Sequence, residues 1–188
     1  MVTVMNESKP GIHPQKYVMW IALVGIVMMF AGLTSAVIVK RNQANWLSFN
    51  IPLIFWYSTA VIIVSSVTIF LCRKAYLNRE MKKYKTLLLV TGVLGVLFVA
   101  MQYFGFNQLW DSGITLTRNV SFSFLYVIVG LHAAHVIGGI IGLIVIYIKS
   151  NSTRKKIYSS VPIDIMSTYW HFVGILWIYL LIFLTMMN

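Results

Sequence analysis

The sequence predicts an all-α integral membrane protein in which five transmembrane helices form one bundle, and three observations carry that reading. Of its 188 residues, 59% are hydrophobic and 10% charged, and a mean hydropathy of +0.82 lies far outside the balance of soluble domains. Five apolar segments each reach the roughly 20 residues that a helix needs to cross a bilayer core. The fifteen basic residues, against four acidic ones, coat no hydrophilic domain; they gather in short segments between the apolar runs. The net charge of +11 is therefore read as membrane topology, and nucleic acid is not a partner.

The first span runs from Tyr17 to Val39 and follows a polar tail, residues 1–16, that contains Pro10 and Pro14. It is too long for the apolar stretch of a signal peptide, so cleavage at "LTSA" is not expected and the segment is kept as a helix. The second, Ile51 to Cys72, opens on "FNIPLIF", where Pro52 suits a first helical turn because its missing N–H would be unpaired there anyway. The third, Thr86 to Phe106, follows "RKAYLNREMKKYK", which can extend a helix beyond the membrane but cannot make a folded unit. The fourth runs from Val120 to Ile148 and the fifth from Ile165 to Met187. Residues 17–188 thus form a single domain with short connections. No internal repeat supports an inverted-repeat transporter.

Five spans put the termini on opposite sides. One side holds Lys9 and Lys16, the cluster Arg73, Lys74, Arg79, Lys82, Lys83 and Lys85, and then Lys149, Arg154, Lys155 and Lys156. The other holds only Lys40, Arg41 and Arg118. By the positive-inside rule the N-terminus is cytoplasmic and the C-terminus periplasmic. Trp46 and Trp110 fall in the two outer connections, where interfacial aromatics belong.

The chemistry available at depth is narrow. The four acids Glu7, Glu80, Asp111 and Asp164 are placed in the tail and loops, so no carboxylate, lysine or arginine lies within a span and an autonomous proton or ion carrier is disfavoured. Cys72 is the sole cysteine, which excludes an internal disulfide and a CxxC site. What remains is Gln102, three intramembrane histidines, His132, His135 and His171, and a set of serines and threonines. Those hydroxyls are expected to bond back to their own helices.

The histidines pose the one real choice. A haem between two helices needs an axial histidine from each at matching depth. At a rise of ~1.5 Å per residue, His135 lies about 20 Å from the basic end of its span and His171 only about 9 Å from its start. His132 and His135 share a face, but two imidazoles without a thiolate or carboxylate make an incomplete metal site. Packing is the alternative. Gly130, Ala134, Gly138 and Gly142 recur every four residues, a ridge of small side chains, widened by Gly139, that admits another backbone. Beside it His132 and His135 are expected to hydrogen-bond a neighbouring helix, in this chain or in a partner. No cofactor or metal is assigned to the chain.

"GLHAAHVIGG" and "YWHFVGILWIYLLIF" resemble the two closing helices of subunit III of the haem-copper oxidases, which oxidise cytochrome c or quinol. Their usual patterns read TG-x-HG-x-HV-x-x-G and YWHFVD-x-x-W. "KYVMWIALVGIVMMFAGL", "IPLIFWYSTAVIIVSS" and "GVLFVAMQYFGF" resemble earlier helices of that family in the same order, from about Lys16 to Leu184. The five-span count is similar to the short bacterial form of the family. The positions that carry the resemblance are Trp20, Pro52, Ser65, Ser66, Gln102, Gly130, His132, His135, Val136, Gly139, Tyr169, Trp170, His171, Phe172, Val173 and Trp177. It implies a multi-pass protein of the bacterial cytoplasmic membrane without redox centres of its own. Its partners would be subunit I, subunit II and membrane lipid, with haems and copper in the partner subunits and a larger respiratory assembly left open.

The departures from the pattern are specific. The family glutamate of the first matched helix falls on Ile26, the aspartate of the last on Gly174, the acid and tryptophan of the third on Gly105 and Phe106, and the glycine between the histidines is Ala133. Every intramembrane carboxylate of the pattern has gone, as in a divergent paralogue. The expected function is an accessory subunit III that stabilises subunit I, holds phospholipid and supports proton uptake while the complex reduces dioxygen. The alternatives are an accessory subunit of a nitric oxide reductase system and a small b-type haem carrier. The residues expected at subunit interfaces or against lipid are His132, His135, Gly130, Gly138, Gly139, Gly142, Trp170, His171, Trp177, Trp20 and Gln102.

Overall fold

A computed structural model describes residues 13–41, 52–114, 120–151 and 159–187. They form α1 (Pro14–Arg41), α2 (Leu53–Leu77), α3 (Met81–Asp111), α4 (Val120–Asn151) and α5 (Val161–Met187). All five helices are long and apolar enough to cross a membrane, and no strand occurs among the described residues. The expectations placed on Glu7, Lys9, Pro10, Trp46, Arg118, Arg154, Lys155 and Lys156 lie outside these residues.

Most helix ends fall beyond the predicted spans, because hydropathy marks the apolar stretch whereas backbone bonding carries a helix on into its polar flanks. Pro14, read as part of the tail, is the first residue of α1, a position that its fixed φ and missing N–H both suit. Pro52, placed in the first turn of α2, instead caps it from outside with φ −58° and ψ 141°, and its carbonyl accepts the Phe55 N–H at 3.1 Å. Asp111 and Asp164, assigned to loops, belong to the last turn of α3 and the first turn of α5. Trp110 likewise sits in the closing turn of α3, 55% exposed.

The basic stretch between α2 and α3 closes on a three-residue turn. The Arg79 N–H donates to the Tyr76 carbonyl and the Glu80 N–H to the Ala75 carbonyl, each at 3.0 Å, which is the paired bonding of a Schellman cap. The motif needs a left-handed residue, and Arg79 supplies it at φ 60°. At the far end of α3 the same bonding pattern joins Gly113 to Trp110 and Ile114 to Leu109, with Gly113 at φ 78°. So short a link between α2 and α3 makes them antiparallel neighbours.

Four helices close a ring in which α2 meets α3, α3 meets α4, α4 meets α5 and α5 returns to α2. α1 lies outside this ring, against α4 and α5 only. The ring encloses the main core, which includes Ile62, Phe98, Leu88, Val136, Trp170 and Trp177. A second cluster, Phe30, Val37, Ile128, Leu176 and Leu180, fastens α1 to the outside of α4 and α5. The outward faces stay apolar, as with Ile21 at 73% and Met28 at 70% exposed. Such faces suit lipid or other membrane helices, since every backbone group is already bonded within its own helix.

One acid joins three helices at the basic end of the bundle. Asp164 on α5 accepts from Lys16 Nζ of α1 at 3.0 Å and from Arg73 Nε of α2 at 2.7 Å. Its side chain is only 14% exposed, so it is the sheltered negative centre of a small ion cluster whose cations, Lys16 and Arg73, stay 37% and 42% exposed. Replacing Asp164 with Asn removes the charge that two cations share. We expect Asp164→Asn to lower stability by about 1.5–3 kcal/mol, as for hydrogen bonds to charged groups. Thermal unfolding in detergent measures this, and limited proteolysis near Lys16 should show α1 loosening first.

Candidate functional site

The interior is organised by aromatic donors on α5. Trp170 and Trp177 lie seven residues apart on one face, and both are nearly fully buried. Trp170 Nε1 donates to Ser65 Oγ at 2.9 Å, and Trp177 Nε1 donates to Thr59 Oγ1 at 3.0 Å. Both acceptors are on α2. Tyr179 repeats the arrangement towards α1, its hydroxyl donating to Thr34 Oγ1 at 3.2 Å. Thr59 and Thr34 in turn give their own protons to the Phe55 and Phe30 carbonyls, at 2.8 and 3.0 Å. A hydroxyl has one proton and two lone pairs, so bonding back to its own helix leaves it free to accept from the next. Thr59 and Thr34 thus do what was expected of them and also join helices, whereas Ser65 gives its own proton to the Thr91 carbonyl of α3 at 3.5 Å.

Trp170 fits because two helices lack a side chain where it lies. A Cβ built at Gly95 of α3 would stand 2.8 Å from its ring, and one at Gly139 of α4 would stand 3.0 Å away. Just under one turn on, a Cβ at Gly142 would stand 3.1 Å from Met166 Sδ. The ridge predicted on α4 therefore divides. Gly139 and Gly142 face α5, whereas a Cβ at Gly130 meets nothing within 4 Å and one at Gly138 meets only the Tyr169 hydroxyl at 3.9 Å. Gly130, Ala134 and Gly138 are exposed on the outer surface of the bundle.

His132 lies at the centre of the ring, 0% exposed. Its ring stacks on Trp177, centroids 5.2 Å apart and 29° between planes, and meets the edge of Phe98 at 5.9 Å. Neither ring nitrogen has a hydrogen-bond partner among the described residues. The expected bond from His132 to a neighbouring helix is thus replaced by aromatic stacking, since Trp177 has turned its donor away to Thr59. Close by in sequence to Phe98, Gln102 of α3 donates through Nε2 to Ser58 Oγ at 2.9 Å, while its Oε1 is likewise without a partner.

His135 also departs from expectation. Its Nδ1 is 2.7 Å from the Leu131 carbonyl, so that nitrogen carries the proton and bonds within α4. The ring meets Phe30 of α1 edge-on at 5.8 Å, and the His135 carbonyl accepts the Tyr169 hydroxyl at 2.8 Å. The depth difference between His135 and His171 shrinks as well. Gly139 opposite Trp170 and Gly142 opposite Met166 fix the register of the antiparallel pair, and put the two histidines about 4 Å apart in depth. Counting from span ends overstated the difference because the basic end of α4 overhangs the start of α5.

Surroundings distinguish these two histidines where depth does not. His171 lines a cavity of about 390 Å³ at the basic end, together with Lys16, Trp20, Arg73 and Asp164. Trp20, 59% exposed, forms its α1 wall. Among the described residues no three of His, Cys, Asp and Glu come together as a metal site would need. The positions where the family pattern has acids hold packing instead. A Cβ at Gly105 would stand 2.9 Å from Ile54, one at Gly174 3.2 Å from Ser66 Oγ, and Ile26 packs into the α1 cluster.

Sequence reasoning missed Gly95, Phe98 and the ion cluster on Asp164. Gly95 is an isolated glycine in an apolar run, which marks a possible close approach but names no partner. The serine–proline spacing around "SSVPID" could have moved the start of α5 back to include Asp164. For His132 the geometry gives a test. His132→Leu removes two unbonded buried nitrogens at similar volume and should unfold within about 1 kcal/mol of the parent. His132→Ala leaves a cavity under Trp177 and should lose about 2–5 kcal/mol. Unfolding in detergent compares the two, and equal losses would show that the ring nitrogens matter.

Against known proteins, the family described as Cytochrome c oxidase subunit III matches residues 17–187. The chain is 25% identical to "Cytochrome c oxidase subunit 3" of Bacillus sp. (strain PS3), over 86% of this chain and 80% of that one. It is 28% identical to "Probable cytochrome c oxidase subunit 3" of Nocardia farcinica, over 93% and 88% of the two chains. "Probable quinol oxidase subunit 3" of Staphylococcus saprophyticus is 25% identical, over 95% of this chain and 90% of its own. A match that begins at the basic end of α1 and ends with α5 takes in the Trp170 notch, the stacked His132 and every helix of the ring, and on it this chain belongs to the cytochrome c oxidase subunit III family.

Proposed function

We propose that the chain is the accessory, non-redox subunit III of a respiratory haem-copper oxidase, one that takes electrons from cytochrome c or quinol and reduces dioxygen. The observation that carries this is the family match across residues 17–187. The use of the interior supports it. The inward donors Trp170, Trp177 and Gln102 all bond to hydroxyls of α2, which makes a stiff bundle. On this reading the haems and copper belong to partner subunits, and the chain holds subunit I and phospholipid in place and so sustains proton uptake.

The basic end, with Lys16, Arg73, Lys74, Lys82, Lys83, Lys85 and Lys149, is proposed to face the cytoplasm of a bacterium, as the positive-inside rule requires. The surface proposed to meet subunit I is the outer ridge of α4, Gly130, Ala134 and Gly138. Small side chains there admit a second backbone, and the chain itself leaves the ridge uncovered.

Pull-down of the tagged chain in mild detergent tests the reading. It should bring down a haem-bearing subunit I with its Soret band, and wild-type chain recovered without one would overturn the proposal. A Cβ at Gly138 meets only the Tyr169 hydroxyl, at 3.9 Å, and the position is on the outer surface, so Gly138→Leu should leave the fold intact. We expect it to weaken association about tenfold, or ~1.4 kcal/mol. Unchanged recovery of subunit I would remove the α4 ridge as the interface.

A further inference from the structure

We infer that the transmembrane helix of subunit I lying on the α4 ridge donates a side-chain hydrogen bond to Nε2 of His135 in the middle of the membrane. The inference rests on the proposed function and deepens it, because it states what chemistry the partner must bring to that surface. His135 is fifteen residues from Val120 and sixteen from Asn151 along α4, so more than about 20 Å of helix lies on either side of it. Water and lipid headgroups are absent at that depth, and acyl chains offer no donor.

The ring is held on one side and open on the other. Its Nδ1 is 2.7 Å from the Leu131 carbonyl, which can only accept, so the proton is on Nδ1 and Nε2 of the neutral ring keeps a lone pair. The described acids, Glu80, Asp111 and Asp164, stand at helix ends, so no counter-ion accompanies a second ring proton. Among the described residues no donor reaches Nε2. Phe30 of α1 meets the ring edge-on at 5.8 Å and has no polar hydrogen to give. The Tyr169 hydroxyl, which comes near Gly138, has already given its single proton to the His135 carbonyl at 2.8 Å. His135 is also only part-buried, and unlike the nitrogens of His132 its free nitrogen is not enclosed by the bundle.

The place of that nitrogen selects the partner. Leu131, Ala134, His135 and Gly138 share one strip of α4 by their spacing of three and four residues. Leu131 packs against the α1 cluster, whereas Ala134 and Gly138 are exposed, so His135 stands where the uncovered ridge borders α1. A helix seated on the small residues of the ridge comes close enough for its side chains to cover that border. The lone pair then decides what one of them carries: a hydroxyl, an indole or an amide N–H. A wholly apolar helix would instead seal an unbonded acceptor into the membrane, at the cost of a buried unpaired group.

Nitrogen NMR of the intact detergent-extracted complex, made with isotope-labelled histidine, reads the bond directly, since a lone pair that accepts a hydrogen bond moves its nitrogen upfield. The His135 Nε2 signal, assigned by its loss in His135→Phe, should be upfield in the complex and return to the unbonded position when subunit I is stripped away. His135→Phe keeps a ring against Phe30 but removes the acceptor. Under graded detergent it should release subunit I about fivefold more readily, the effect of one interhelical hydrogen bond in a membrane. His135→Gln, whose amide oxygen can take the place of Nε2, should hold subunit I better than His135→Phe. An unbonded signal in the complex overturns the inference, and so does wild-type retention of subunit I in His135→Phe. A bonded signal that persists after stripping overturns it too, because the donor would then be this chain or water. Recovery of the wild-type chain without subunit I is a failure of the proposed function, and the same signal in the assembly that does form still shows whether a partner supplies the donor.

Discussion

Trp170 is the side chain on which the rest of the bundle depends, because from α5 it touches every other helix of the ring. Its N–H is bonded to Ser65 on α2, and its ring lies where Gly95 on α3 and Gly139 on α4 have no side chains. In a membrane the hydrophobic effect does not press helices together, so close packing and interhelical hydrogen bonds must do so. Trp170 supplies both at one point. A large flat ring held by a directed bond fixes the distance between α3 and α4 and the rotation of α5 together. The other contacts are consistent with that geometry: Trp177 repeats the bond one heptad on, and Gly142 and Met166 extend the α4–α5 seam in the same register.

The same constraint explains what became of the acids in the family pattern. Gly105 and Gly174 are buried where α3 and α5 approach α2 closely, so a carboxylate at either position would have to displace packed atoms and would carry a charge into the apolar interior. The polarity that remains inside is low and mostly paired. The exceptions among the described residues are Gln102 Oε1 and the stacked His132, whose neighbours are aromatic faces and edges. Charge is kept to the ends, where Asp164 draws α1 and α2 to α5. This separation leaves the long outer faces of the bundle free for partner and lipid.

Much of this was legible in the sequence for a simple reason. A membrane span must be apolar along its whole length, so composition alone locates five helices, and the basic clusters mark one end. The ridge on α4 could also be read as packing, whereas the tryptophans of α5, expected at a subunit interface or against lipid, are buried in the chain's own core. Which glycines face inward could not, because Gly138 and Gly139 are adjacent in sequence and one points out while the other receives Trp170. Gly95 was invisible as a partner since its role exists only once α5 is brought to α3. The depth of His171 was misjudged because overhanging helix ends follow from packing, not hydropathy. The hydroxyls were half understood: bonding to their own helix was predicted, but accepting from tryptophan requires knowing which helix lies opposite.

The claim that the Trp170 notch sets the bundle is tested most directly by adding one methyl group to each of two glycines on α3. Gly95→Ala places a carbon 2.8 Å from the Trp170 ring, whereas Gly92→Ala, three residues away, meets nothing within 4 Å. Equilibrium unfolding of both in the same detergent should show Gly95→Ala destabilised by about 1–3 kcal/mol, the usual cost of overpacking. Gly92→Ala should be stabilised by about 0.5–1 kcal/mol from helix propensity alone. Equal stability of the two variants, or a gain at Gly95, would contradict the account.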